Sequence, residues 1–158
     1  MKKFLIVILT IISINVSAQN DNLPFKELGA YSEEFSPNNI VARMIEGLGY
    51  RFYWATESLT DKDLKYKPSE DSRSSLQTLE HIYGLSVFIL YTFEGKEYDF
   101  SQDEMTFTEL RNGTLKNLKI VYDMLNENAD ISQMKVRLNL NGQSLAFPFW
   151  NAINLSLI

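Results

Sequence analysis

The chain has 158 residues and a formal net charge of −5, with no cysteine and a single histidine, His81. The missing cysteines exclude disulfides, thiol nucleophiles and cysteine-bound metals together. An acidic chain without a basic stripe does not suit nucleic acid, whose phosphates require clustered Lys and Arg, or an anionic membrane surface.

Residues 1–18 read as a secretory signal peptide. Lys2 and Lys3 precede an apolar stretch from Phe4 to Ile14, and Val16-Ser17-Ala18 supplies small residues for cleavage before Gln19. The apolar stretch is short for a membrane span, and without a cysteine after it no lipid anchor is expected. The expected location is periplasmic or secreted, with no membrane attachment after cleavage. Loss of Lys2 and Lys3 takes the formal charge from −5 to −7. About 140 residues remain, one ordinary domain able to bury roughly 68% of its unfolded surface.

Residues 19–35 have no clear period and read as a lead-in segment lying over the surface. Ser36-Pro37 then opens a helix, with Ser as its cap and Pro at its first position. Ile40, Met44, Leu48, Phe52, Ala55 and Leu59, widened by Val41 and Ile45, predict a core-facing stripe as far as about Ser58. Gly47 and Gly49 inside it suggest close helix–helix approach. Thr60 to Lys67 reads as a charged connection, closed by Pro68.

A second helix is predicted from Ser74 or Ser75 to about Glu94, ended by Gly95. Its stripe is Leu79, Ile82, Leu85 or Ser86, Ile89 and Phe93. Tyr83, Val87, Phe88 and Leu90 make it apolar over most of its circumference, as in a central helix. Lys96 to Met105 reads as a loop. Thr106 and Glu109 then have capping-box spacing, opening a third helix with Leu110, Leu115, Leu118, Val121, Tyr122 and Leu125, ending near Asn128. Val136, Leu138 and Leu140 alternate with polar residues, and Asn141-Gly142 turns the chain into Ser144 to Phe147 as a short hairpin. Phe149 to Asn154 leads into Leu155 to Ile158, the start of a last helix.

Three stretches carry a resemblance: LTDKDLKYKP (Leu59 to Pro68), SLQTLEHIYGL (Ser75 to Leu85) and FPFWNAIN (Phe147 to Asn154). They resemble the connection between helices one and two, the second helix, and the lead into helix four of the DinB-like family, a superfamily of metal-dependent four-helix-bundle proteins. The resemblance runs from about Ser36 to the end. It implies an all-α, up-down four-helix bundle over residues 36–158, with a short β-hairpin before the final helix. It also implies a divalent-metal-dependent hydrolase or thiol transferase acting on a small molecule, with His81 as first ligand of zinc or nickel. Family members carry two further histidines one turn apart on the fourth helix. Leu155 to Ile158 are at most its first turn, so the metal site is expected to be incomplete here. An uncovered apolar face allows self-association as a homodimer.

A catalytic metal needs about three protein ligands. On its own helix His81 has Gln77, Thr78, Gly84 and Leu85 on the same face, none a useful ligand, and Glu80 is turned about 100° away. Apart from the resemblance, His81 reads as a buried or half-buried residue satisfied by a hydroxyl or carbonyl. No G-x-S-x-G elbow, phosphate loop or dinucleotide fingerprint occurs. Phe147, Phe149 and Trp150 read as a pocket lining or a bundle cap. The alternative to an enzyme is a non-enzymatic binding or interaction scaffold.

Overall fold

The computed structural model describes residues 22–99, 104–127, 129–140 and 142–156, and side chains as far as Ala152. The expected signal peptide lies outside them. Within them the protein is mostly helical, with one two-stranded antiparallel sheet. In chain order the elements are α1 (Pro37–Thr56), α2 (Asp61–Lys65), α3 (Ser75–Phe93), α4 (Phe107–Asn126), β1 (Lys135–Leu140), β2 (Gln143–Pro148) and α5 (Phe149–Ser156). None of the described helices is long and apolar enough to cross a membrane.

The helix starts follow local chemistry. The Ser36 hydroxyl accepts from the Asn39 amide at 3.1 Å, with Pro37 at the first helical position. Ser74 and Gln77 cap α3 reciprocally, as Thr106 and Glu109 cap α4. The charged connection after α1 contains α2, because Thr60 and Asp63 form the same box. Gly95 leaves α3 with a left-handed φ of 68°.

Hydrogen bonds from the Thr106 hydroxyl and then the Thr106 amide hold the Glu109 carboxyl below its ordinary 4.5. A lowered folded-state pKa gives stability that is present above the unfolded value and lost as pH falls through the folded one. Acidification from about pH 5 to about pH 3 is therefore expected to destabilise the wild type more than Glu109→Gln, which keeps a neutral box. Urea midpoints across that range measure the difference, and equal slopes would remove Glu109 from the account.

α4 is the middle helix. It packs against both α1 and α3, whereas α1 and α3 have no Cα pair within 8 Å of each other. Its inward residues Leu110, Leu115, Leu118, Val121 and Leu125 are buried. Tyr83 of α3 lies so close to Gly113 that a Cβ there would sit 2.6 Å from the ring. Close helix approach thus occurs at Gly113, not at Gly47 or Gly49. Between α1 and α4, the Arg111 guanidinium donates to the Thr56 hydroxyl at 3.0 Å and the Tyr53 carbonyl at 3.3 Å, and lies 4.7 Å from the Tyr53 ring centroid. The Asn38 amide donates to the Leu125 and Ala129 carbonyls, closing the C-terminal end of α4.

The face that α1 buries is rotated from the expected one. Val41, Ala42, Ile45, Phe52, Tyr53 and Thr56 are buried, while Ile40 and Met44 are 46% and 38% exposed and Ala55 is exposed. The cause is the lead-in segment. Leu23 and Phe25 enter the core instead of lying over the surface, and Phe25 packs over Gly49 and edge-on against Tyr122. The Trp54 indole donates to the Lys26 carbonyl, and Glu46 accepts from the Gly29 amide at 2.6 Å and from Arg43 at 2.5 Å. Core partners therefore stand on two sides of α1.

In the sheet, Val136 pairs with Phe147 and Leu138 with Leu145. Asn141 of the expected Asn-Gly turn lies outside the described residues; Gly142 has a φ of 83°. The segment after α3 is not simply a loop. Tyr98 forms a parallel bridge to Leu138, donating to the Arg137 carbonyl and accepting from the Asn139 amide. The last helix begins at Phe149, well before Leu155. Its Phe149 ring is buried edge-on against Phe93, with centroids 5.3 Å apart.

Candidate functional site

His81 is exposed on the second turn of α3 and makes no hydrogen bond to a described residue. That overturns the reading of a buried, satisfied histidine. The spacing was right but the setting was not: the α3 face carrying His81 turns away from α4 and toward a cleft. Gln77, His81, Gly84 and Phe88, at steps of four, three and four, supply one wall of this cleft, flanked by Glu80 and Leu85. Arg73 stands before the helix, and Tyr98, Leu138 and Phe147 form the opposite side. The volume is about 680 Å³, within the range of small-molecule sites.

The interior is aromatic and aliphatic, and the polar groups gather at the α3 end. Tyr98 is buried, its ring edge-on to Phe88 at 5.7 Å and to Tyr91 at 6.1 Å. Because Tyr98 is also bridged to β1, the floor of the cleft is tied to the hairpin by backbone hydrogen bonds. Leu138 and Phe147 point the same way because Leu138 shares its strand face with Val136, the partner of Phe147. Gln77 is committed to the α3 cap, its Oε1 accepting from the Ser74 amide at 2.9 Å. Arg73, Glu80 and His81 are, with the Tyr98 phenol, the ionisable side chains of the lining.

Glu80, expected to point elsewhere, borders the same cleft as His81. Among the described residues, no group of three His, Asp or Glu side chains is placed to share an ion. His81 and Glu80 alone fall short of the three-ligand set that a catalytic divalent metal requires. The aromatic group after β1 divides: Phe147 lines the cleft, Phe149 enters the core and Trp150 is 67% exposed.

No family model, curated protein or solved structure matches this chain. The geometry of the cleft is therefore what bears on function. Period-two alternation in the hairpin was a usable signal for Leu138. No sequence pattern pointed to Tyr98, whose place depends on a single bridge between distant segments.

Proposed function

We propose that this chain is a DinB-like protein of four-helix-bundle type, with α5 as the fourth helix, that binds a small molecule in the cleft beside His81. The observation that carries this reading is the placement of the only histidine, unpaired by described residues, at the edge of a cleft walled by Phe88, Tyr98, Leu138 and Phe147. An apolar interior with a few polar groups at one end is the usual composition of such a site. Arg73 and His81 favour a ligand with an apolar body and a polar or anionic end. With residues 1–18 read as a signal peptide, this activity belongs to the periplasm or the outside of the cell.

The resemblance adds a divalent metal, zinc or nickel, and hydrolase or thiol-transferase chemistry. Of the donors such an ion needs, the described residues offer His81 and Glu80 in this cleft, so no chemical step is derived through it. A non-enzymatic binding scaffold is the second reading, favoured by the aromatic lining, which serves binding without further chemistry.

His81→Asn is expected to change stability by no more than about 0.5 kcal/mol, because the side chain is exposed. Zn²⁺ and Ni²⁺ titrations should move neither the wild-type nor the mutant Tm. A rise in Tm confined to the wild type would establish a metal site completed by further donors. For binding, small aromatic and alkyl carboxylates can be screened by NMR on the His81 imidazole proton. Shifts that vanish in Leu138→Lys support the cleft, and compounds that bind without moving His81 place the site elsewhere.

A further inference from the structure

A second groove, about 780 Å³, runs along the outward face of α1 and shares no lining residue with the His81 cleft. Its floor contains Ile40, Met44, Gly47 and Arg51, spaced by four, three and four residues and therefore on one helix face. Ile40 and Met44 are the large side chains of the expected α1 stripe that the structure leaves outside the core. Phe35, 86% exposed, borders the groove near the start of α1. At the other end the Arg51 guanidinium folds back over Gly47, with Nη1 3.6 Å from where a Cβ would be.

The charges in this groove are unevenly committed. Arg43 and Glu46 also border it, but they are paired with each other at 2.5 Å, and Glu46 is further held by the Gly29 amide. The Arg51 side chain makes no ion pair or hydrogen bond to a described residue. Glu34 borders the groove before α1 begins, where it opposes an anion. One end thus offers an uncommitted cation and the far end a carboxylate; between them Ile40 and Met44 give an apolar strip, beside the paired Arg43 and Glu46 and the polar Ser32, Asn39 and Asn126.

We propose that this groove binds a fatty carboxylate. Its head group pairs with Arg51, and its alkyl chain lies over Met44 and Ile40 toward Phe35. The distance fits, since the eleven residue steps from Ile40 to Arg51 rise about 16 Å along the helix. The polarity fits as well: a carboxylate meets guanidinium in a two-pronged hydrogen bond, and the Glu34 end disfavours the reverse orientation. An uncharged alkyl ligand would cover the same apolar surface but leave Arg51 without a partner. This site does not depend on the reading of the His81 cleft.

The test is calorimetric titration of the full chain with dodecanoate below its micelle concentration. Saturable one-to-one binding is expected, weakened roughly tenfold by Arg51→Gln, which removes a charge-assisted pair. Lauryl alcohol should bind the wild type more weakly by a similar factor and be indifferent to Arg51→Gln. Met44→Gln should weaken both ligands, and His81→Asn neither. The proposal is overturned by absence of saturable binding, by equal affinity of wild type and Arg51→Gln, or by loss of dodecanoate binding in His81→Asn or Leu138→Lys. Sedimentation showing α1 occluded by a second copy, with no dodecanoate taken up, would also overturn it.

Discussion

Leu115→Ala is expected to lower the unfolding free energy by about 4 kcal/mol, near the upper part of the range for emptying a fully buried leucine position. Leu115 is 0% exposed and lies on α4, which packs against both long helices. α4 is held on two sides, by α1 and by α3, so it has little freedom to shift and close a cavity. The loss is a large fraction of the 5–15 kcal/mol that typically stabilises a domain. Ile120→Ala on the same helix removes a side chain that is 45% exposed and should cost far less, within about 1 kcal/mol. Urea unfolding with unchanged m-value measures both. Similar losses at the two positions would mean that the core is not organised around α4.

The second large effect separates two glycines that stand two residues apart on α1. A Cβ at Gly49 would lie 2.5 Å from two ring carbons of Phe25, far inside the 3.5–4.0 Å at which carbon atoms attract. Phe25 cannot easily give way. Its ring is held edge-on by Tyr122 at 6.0 Å, and its backbone is already at φ 67°, a left-handed conformation that costs a non-glycine residue about 1–3 kcal/mol. Gly49→Ala should therefore destabilise by about 2 kcal/mol despite the helix propensity gained, since overpacking typically costs about 1–3 kcal/mol. At Gly47 the nearest atom to a new Cβ is the Arg51 guanidinium at an ordinary 3.6 Å. Gly47→Ala should stabilise by about 0.5–1 kcal/mol. Thermal melts give the two signs, and limited proteolysis after Phe25 should accelerate only in Gly49→Ala. Two changes of the same sign would contradict the seating of Phe25.

Much of the fold was legible because it rests on local chemistry. The Ser36 and Thr106 caps, the start of α3 at Ser75, the stripe of α4 and the alternation in the hairpin each depend on residues a few positions apart, and each appears where the sequence puts it. Asp63 in place of Glu or Gln hid the box that starts α2. What the sequence obscured depends on long-range partners. The face α1 buries is set partly by Leu23 and Phe25, in a segment with no periodic pattern. The small residue Gly49 and the polar Thr56 lie on that face because a ring and a guanidinium come to them from elsewhere. His81 was correctly placed on a helix, but its exposure is decided by Tyr98 and the hairpin, which form a cleft on that side instead of a packed layer.

The central place of α4 has a consequence for how the chain meets itself during synthesis. α1 ends at Thr56 and the helix it packs against begins at Phe107. At a translation rate of roughly 5–20 residues per second, α1 leaves the ribosome about 3–10 s before the start of α4 does. Over that interval Val41, Ile45 and Phe52 have no helical partner, whereas α3 and α4 follow one another closely and can pair as soon as both have emerged. The α3–α4 pair is thus the natural first unit to form, and α1 joins it afterwards through Arg111 and Asn38. A chain halted before Phe107, on the ribosome or part-way through export, would present the apolar side of α1 to any holdase on that side of the membrane.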